Sequence, residues 1–178
     1  ALNHSFLRSK ERDFFMSKIV SESENQIKQA VISAFESAME KGQLAKSEIP
    51  DFRVEIPADR ANGDYAVNAA MVSARTFRMA PAKIAQIILD NLDLSKSYAK
   101  SAEIAGPGFI NFRLSDKFYS DILLDINKKG ESYGRSDFGS GKMVDVEFVS
   151  ANPTGPMHIG NARGGALGDC LAGVLSAA

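Results

Sequence analysis

The residues best suited to chemistry lie in the last part of this 178-residue sequence, from Val144 to Ala178. The alternating apolar run Val144–Val149 predicts a β-strand, and a polar loop follows from Ser150 to Pro156. His158-Ile159-Gly160-Asn161 then opens a glycine- and alanine-rich helix. The N-terminus of a helix presents free N–H groups and a partial positive charge, which suit a phosphate. This order of strand, loop and helix therefore indicates a place to hold a nucleotide.

His158 and Asn161 could both donate hydrogen bonds to phosphate oxygens as charge shifts during a transfer reaction. Gly160 lies between them and would let a ligand or the backbone approach closely. A lone histidine is more often structural, so both interpretations of His158 stay open at this point. Gly164, Gly165 and Gly168 each lower helix propensity by about 1 kcal/mol, and we expect close packing of the helix on the strand or on a ligand to compensate.

Glu147 is the least expected residue of the predicted strand. A carboxylate in a parallel sheet that is covered on both faces is costly unless it has a partner. Ligands of open α/β sheets bind at the carboxyl ends of the strands, so a cationic substrate group would suit this position. The alternative is an edge strand in which Glu147 is simply solvated. Ser150, Asn152 and Thr154 add neutral donors and acceptors, or form an ordinary polar turn.

The elements upstream predict an α+β unit of antiparallel strands and packed helices. A helix is expected over Ser21–Lys41, with a capping box between Ser21 and Glu24 and a stop at Gly42. Further helices are expected over 66–77, from Pro81, and after Ser115. Strands are expected at Arg53–Ile56, Tyr98–Ala105 and Phe109–Leu114, the last two joined by Gly106-Pro107-Gly108. The helix after Ser115 is expected to turn one face to the core, formed by Phe118, Ile122, Leu123 and Ile126.

The domain organisation follows from these elements. Residues 1–15 are expected to be a leader or an N-terminal extension, with a short helix from Ser9 to Lys18 as the alternative, and 16–129 to form the α+β domain. Residues 130–142 hold four glycines and three serines and are the best candidate for a linker. Residues 143–178 are expected to be the truncated start of a nucleotide-binding catalytic domain.

Composition limits the possible partners. The chain has 21 Lys and Arg against 22 Asp and Glu, so any contact with RNA would have to be local. Its single cysteine, Cys170, excludes an intrachain disulfide and favours a reducing, cytoplasmic compartment. No apolar run approaches the roughly 20 residues of a membrane span, and no residues have the spacing of a metal site.

The motif becomes recognisable when its neighbours are included. The segment VEFVSANPTGPMHIGNARGGALGD, from Val146 to Asp169, closely resembles the start of the catalytic domain in arginyl-tRNA synthetases of the bacterial type. His158–Asn161 matches the HIGH motif of class I aminoacyl-tRNA synthetases, and Ser150–Pro156 makes the resemblance specific for the arginyl family. Asn62–Ala66 and Gly106–Phe112 resemble the N-terminal additional domain of that family.

The resemblance implies a fold and a reaction. The fold would be an N-terminal additional domain followed by the first βα unit of a class I Rossmann-like catalytic domain. Arginine would attack the α-phosphate of ATP to give arginyl-adenylate and pyrophosphate, and the arginyl group would then pass to tRNA(Arg). ATP would be a substrate accompanied by Mg2+, and no bound prosthetic group is expected.

The resemblance also implies roles for individual residues. Glu147 would pair with the guanidinium of arginine, and Asn152 would contact the amino acid. His158 and Asn161 would be catalytic, contacting ATP together with Ser150 and Gly160. Asn161 stands where the family usually has histidine, so it keeps a donor but cannot become cationic. The additional domain is associated with the tRNA elbow near the D-loop, and the candidates for this contact are Arg60, Asn62, Tyr65 and Asn111. An aromatic ring and a polar loop could stack on an unpaired base, and the alternative for each of these residues is a loop that packs on its own domain.

Two other functions stay open beside this one: a freestanding RNA-binding module with a vestigial nucleotide-binding tail, and another class I-like nucleotidyltransferase. The family's second ATP motif and anticodon-binding helices are absent from the sequence. We therefore expect the chain alone to be inactive.

Overall fold

The computed structural model describes residues 18–137, 139–152 and 154–178. The chain divides into two units, one whose described residues are 18–128 and one whose described residues begin at Lys129. The expected leader or extension, residues 1–15, lies outside the described residues. Within the part that the structure describes, no helix is long and apolar enough to cross a membrane.

The first unit combines helices with one antiparallel sheet, which confirms the α+β prediction. Its sheet has the strand order β1-β2-β4-β3, and every neighbouring pair is antiparallel. The elements in chain order are α1 (Lys18–Glu40), β1 (Val54–Glu55), β2 (Tyr65–Val67), α2 (Ala69–Phe77), α3 (Pro81–Asp90), β3 (Ala99–Ala105), β4 (Phe109–Leu114) and α4 (Asp116–Lys129).

Helix α1 follows the predicted apolar stripe but begins earlier than predicted. It already includes Lys18, so Ser21 lies inside the helix and cannot be its N-cap; the predicted capping box is wrong. The predicted stop is confirmed at the other end. Gly42 has a positive φ of 71°, and the N–H of Gln43 donates to the carbonyl of Ala38 at 2.8 Å, as in a Schellman C-cap.

The core lies between the sheet and helices α1, α2 and α3. Phe35 of α1 stacks on Phe77 of α2, with ring centroids 5.8 Å apart. Pro81 occupies the first turn of α3, as predicted, and Ile84 and Ile88 of that helix are fully buried. Burial of an aliphatic or phenylalanine side chain contributes about 1.5–3 kcal/mol each, so this cluster holds the sheet and helices together. Its fully buried members include Ile27, Val31, Phe35, Val67, Ile84, Ile88, Ile110 and Phe112.

Helix α4 turns a narrower face to the core than predicted. Phe118 is buried and Ile122 packs against the core, but Leu123 is 62% exposed and Ile126 is also exposed. An α-helix rotates about 100° per residue, so Leu123 points about 140° away from Phe118. The placement of Leu123 and Ile126 on the buried face is therefore wrong.

The hairpin between β3 and β4 is confirmed. Ala105 pairs with Phe109 across the turn Gly106-Pro107-Gly108. Gly106 and Gly108 have positive φ angles of 54° and 135°, which explains why the turn uses glycine at both positions.

Gly63 brings the preceding polar loop close to β4. The loop contains a short 3₁₀-helix, Arg60–Asn62, and Gly63 ends it with φ 98° and ψ −167°. Only glycine adopts this region readily. A Cβ at Gly63 would lie 2.7 Å from the carbonyl oxygen of Phe112 in β4.

The second unit contains a 3₁₀-helix (Gly130–Ser132) and helix α5 (Ile159–Ala177). The predicted strand Val144–Val149 is wrong for this structure, since described residues 143–150 adopt no regular secondary structure. A strand is stable only when its N–H and C=O groups pair with a neighbouring strand. The described residues of this unit form no strand with which the segment could pair.

We predict that Gly63→Ala destabilises the first unit far more than Gly106→Ala. The first change combines a backbone region closed to alanine with a clash against Phe112, and should cost about 2–4 kcal/mol. Gly106 has open space around its missing Cβ, so its substitution should cost about 1–2 kcal/mol for the left-handed backbone alone. Urea unfolding measures both variants, and equal losses would show that the contact with β4 does not matter.

Candidate functional site

His158 forms the N-cap of helix α5. Its backbone is extended, with φ −92° and ψ 170°, and its Nδ1 accepts the backbone N–H of Gly160 at 3.1 Å. An accepting Nδ1 carries no proton, so the neutral ring must carry its proton on Nε2. The cap therefore fixes the tautomer and leaves Nε2–H as a donor at the positive end of a 19-residue helix.

Gly160 is required for this arrangement of the histidine. A Cβ at position 160 would lie 2.9 Å from Cε1 and 3.0 Å from Nδ1 of the His158 ring. Asn161 follows, with a half-buried side chain and a backbone N–H that donates to the carbonyl of His158 at 3.0 Å. Three of the candidate residues thus meet at one helix end.

Two of the three glycines Gly164, Gly165 and Gly168 compensate for their low helix propensity by close packing, as expected. A Cβ at Gly168 would lie 2.2 Å from the Cγ of Phe148, and a Cβ at Gly165 would lie 2.9 Å from a methyl carbon of Val149. Gly164 has open space around its missing Cβ. The segment before the polar loop therefore lies against α5 even though it is not a strand.

The remaining candidates of this unit lie on the surface of the segment before α5. Glu147, Ser150 and Asn152 are exposed, and the backbone carbonyl of Asn152 accepts the N–H of Thr154 at 2.8 Å. A cleft of about 330 Å³ lies between the start of this segment and the C-terminal half of α5, and none of the candidates lines it. Its lining residues are Lys142, Val144, Val146, Ala172, Leu175 and Ser176.

In the first unit, the 3₁₀ turn Arg60–Asn62 presents two of the expected tRNA-contact residues. Arg60 and Asn62 are exposed, and the Asp59 side chain caps the turn by accepting the N–H of Ala61 at 2.9 Å. The guanidinium of Arg113 in β4 donates to the carbonyl of Ala61 at 2.8 Å. The turn is therefore held at both its start and its middle.

Asp64 joins the end of this turn to two other elements. Its N–H donates to the carbonyl of Phe112 at 2.8 Å, and its Oδ2 accepts the N–H of Leu114 at 2.7 Å. Its Oδ1 accepts the hydroxyl of Tyr119 in α4 at 3.2 Å. Burial first, and then the negative charge of Asp64 and this hydrogen bond, raise the pKa of Tyr119, while the positive charge of Arg60 opposes them.

Tyr65 and Asn111 do not fit the contact expected of them. Tyr65 is only 3% exposed, and its hydroxyl shares a hydrogen bond of 3.2 Å with Ser23 in α1, while burial raises its pKa. Asn111 is 4% exposed. A ring inside its own domain cannot stack on an external base, so Tyr65 follows the alternative in which the residue packs on its own domain.

Sequence reasoning missed Asp64, Arg113 and Tyr119. Asp64 belongs to the Asn62–Ala66 segment that resembles the family, but the sequence does not indicate its hydrogen bonds to β4 and α4. Nothing in the sequence indicates that Arg113 and Tyr119 contact this turn. Arg113 occupies an outward-facing position of β4, and Tyr119 follows Phe118, which lies in the core. Only the fold brings them to the turn.

The comparisons with known proteins agree with the motifs. The family described as the arginyl tRNA synthetase N terminal domain matches residues 21–114. The chain is 47% identical over 163 residues to an arginine–tRNA ligase of Acetivibrio thermocellus, covering 92% of this chain and 29% of that protein. It is 50% identical over 160 residues to one of Caldanaerobacter subterraneus subsp. tengcongensis, covering 90% and 28%.

Among solved structures, the arginyl-tRNA synthetase from Plasmodium falciparum has a similar fold, with a TM-score of 0.52 at 21% identity. The alignment covers 86% of this chain and 28% of that one. The chain thus spans less than a third of the length of its curated relatives.

We predict that Gly160→Ala displaces the His158 ring and releases its tautomer. In the native chain, long-range ¹H–¹⁵N NMR of the neutral imidazole should show a protonated Nε2 and a bare Nδ1. The variant should show a mixture of both tautomers, because the added Cβ occupies the space of the ring. Gly164→Ala is the matched control, since nothing lies near its missing Cβ. An unchanged spectrum in Gly160→Ala would contradict the role given to this glycine.

Proposed function

The chain belongs to the arginyl-tRNA synthetase family, and we propose that it is the N-terminal part of an arginine–tRNA ligase. The longer enzyme would activate arginine with ATP and transfer it to tRNA(Arg). The observation that carries the proposal is the match of residues 21–114 to the family's N-terminal domain, joined to 47–50% identity with arginine–tRNA ligases. Because the chain covers less than a third of those relatives, the activity is proposed for the longer protein.

In the proposed adenylation step, the start of α5 would hold ATP. His158 would donate from Nε2 to a phosphate oxygen, a role supported by the cap that occupies its Nδ1. Asn161 would donate a second, uncharged hydrogen bond, and Gly160 and Ser150 would lie beside the nucleotide. These donors would stabilise the charge that develops when the arginine carboxylate attacks the α-phosphate.

Arginine would be bound by Glu147 and Asn152. A carboxylate and a guanidinium form two parallel hydrogen bonds, which suits Glu147 to the side chain of this substrate. Segment 143–150 would have to pair with further strands to hold Glu147 at the carboxyl end of a sheet, where ligands bind. We propose that the rest of the catalytic domain supplies those strands.

Mg2+ would enter with the nucleotide. Among the described residues, no group of three or more His, Cys, Asp or Glu side chains could hold a metal ion. Mg2+ commonly binds through substrate phosphates with few protein ligands, so this donor set is compatible with Mg2+ on ATP. When bound, Mg2+ would neutralise part of the negative charge of the phosphates.

The first unit would contact tRNA(Arg) near its elbow, in the cytoplasm. The balanced charge of the chain requires the contact to be local, and Arg60 and Asn62 on the exposed turn are the best placed of the candidates. Tyr65 and Asn111 would support the sheet behind the turn rather than touch the RNA.

We predict that the 178-residue chain alone catalyses no ATP–pyrophosphate exchange with arginine and tRNA(Arg). Glu147 and Asn152 are exposed, and Glu147 lies in a segment without regular secondary structure, so the sheet that would hold the arginine side of the site is not formed. A full-length arginine–tRNA ligase in the same assay shows that the conditions support exchange, and His158→Ala in the chain corrects for contaminating enzyme. Turnover by the chain that is lost in His158→Ala would sink the prediction.

We also predict that the chain binds tRNA(Arg) with a salt-dependent affinity. Titration at two salt concentrations should show weaker binding at the higher one, because phosphate contacts release counterions. Arg60→Gln should weaken binding and lower the salt slope by about one, whereas Lys46→Gln, a change at another exposed cation of the first unit, should not. Absence of binding at low salt would refute an independent tRNA contact.

A further inference from the structure

The exposed turn 59–62 has few bonds to the rest of the first unit. The side chain of Asp59 accepts the N–H of Ala61, and two further N–H groups donate to carbonyls of the turn itself. Among the described residues, the bond from Arg113 to the Ala61 carbonyl is the one hydrogen bond that joins turn 59–62 to another element. The middle of the turn is therefore held by a single side chain.

Gly63 makes this one bond important. The bonds of Asp64 to β4 fix the chain after the turn, but Gly63 lies between them and the turn. Glycine has the widest choice of backbone conformations, so a fixed Asp64 still leaves several orientations open to the residues before it. A contact on the turn itself is needed to select one of them, and Arg113 supplies it.

The surroundings of Arg113 hold its guanidinium in one place. Arg113 lies opposite Ser101 of β3 in the sheet, and a Cβ at Gly63 would lie 3.7 Å from its Cγ. Its Nη2 donates to the Ala61 carbonyl at 2.8 Å and lies 3.5 Å from a carboxylate oxygen of Glu103. The ion pair is exposed and contributes little energy, but a charged donor strengthens the bond to the carbonyl.

We propose that Arg113 is a positioning residue for the tRNA contact. It holds the turn through the Ala61 carbonyl, so that Arg60 meets the RNA in one orientation, and it does not touch the RNA itself. When only a fraction of the molecules has the binding orientation, the affinity falls by that fraction, so holding the turn raises affinity without adding a contact. This inference rests on the proposed contact between the turn and tRNA(Arg).

The first test separates a positioning residue from a phosphate ligand, since the Arg113 side chain is 45% exposed. Arg113→Met removes the guanidinium and keeps most of the aliphatic stem beside Gly63. Titration with transcribed tRNA(Arg) should show binding weaker by about 3- to 10-fold with an unchanged salt slope, because no phosphate contact is lost. A slope reduced by about one would show a direct phosphate contact and overturn the proposal.

Lys100→Met is the matched control for the loss of charge. Lys100 is an exposed cation on the neighbouring strand β3, and no hydrogen bond joins it to the turn among the described residues. This variant should keep the native affinity and salt slope. A loss of affinity equal to that of Arg113→Met would show that the positive charge of the sheet matters and the bond to Ala61 does not, which overturns the proposal.

The second test measures the coupling between Arg113 and Arg60. If Arg113 acts by positioning Arg60, Arg113→Met should lose most of its effect in the Arg60→Gln background, because the cation to be positioned is gone. Two residues that contact RNA independently would have additive effects on the free energy of binding. Additivity in this cycle, or native affinity in a folded Arg113→Met, overturns the proposal.

NMR of the free chain examines the turn directly. In Arg113→Met the amide resonances of Asn62 and Gly63 should shift and broaden, because the turn then exchanges between orientations, whereas the amide of buried Ile84 should not change. Unchanged resonances of the turn would contradict the proposal. Arg113→Lys keeps a cation without the planar guanidinium, and it replaces the methionine variant in every test if thermal unfolding shows that Arg113→Met does not fold.

The outcomes separate this inference from the tRNA contact on which it rests. If the native chain binds tRNA(Arg) and Arg60→Gln weakens binding while Arg113→Met does not, the contact stands and the positioning role fails. If the native chain does not bind even at low salt, the contact itself fails, and the positioning role fails with it.

Discussion

Backbone pairing along both edges of β4 is the constraint on which the first unit depends. β4 bonds to β2 on one side and to β3 on the other, and its Ile110 and Phe112 side chains are fully buried. Its backbone also fastens the Arg60 turn, because Phe112 accepts from Asp64 and Leu114 donates to it. The exposed turn therefore takes its position from the most restrained strand of the unit, which is how a loop can present side chains with little freedom.

The second unit shows what happens when this constraint is missing. Val144–Val149 has the alternation of a strand, but a strand is defined by its partners and the described residues supply none. What persists is local: His158 caps its own helix, and Phe148 and Val149 pack on glycines of α5. The histidine end of the proposed site thus forms without a sheet, whereas the placement of Glu147 depends on one.

Short-range signals explain how much of the fold was predictable from sequence. Gly42, Pro81 and the Gly106–Gly108 turn act through backbone geometry within a few residues, and the structure bears them out. Ser21 had the spacing of a cap, but α1 continues through it. Leu123 shows that an apolar residue needs the correct helical angle as well as the correct neighbours to reach the core.

Some residues of the candidate site could be predicted from the sequence, but their arrangement in space could not. His158 and Gly160 were found as a motif, and their capping geometry follows from residues two apart. Tyr65 belongs to a polar segment that resembles the family's tRNA-contacting domain, yet its pairing with Phe112 in β4 buries it. Asp64 and Tyr119 lie 55 residues apart in sequence, so no local pattern could join them.

Gly63 and Gly160 each lie in a segment that resembles the family's motifs. At both positions the space left by the missing Cβ is occupied by another group of the same protein. Gly63 admits the carbonyl of Phe112, and Gly160 admits the imidazole of His158. The resemblance assigns Gly160 to the ATP contact, but in this chain the Cβ direction is already filled by the histidine ring. A nucleotide would therefore have to approach Gly160 from another side, or displace the cap and with it the fixed tautomer of His158. The glycine and the histidine then act as one unit, in which the absence of a side chain at one position sets the protonated nitrogen at the other.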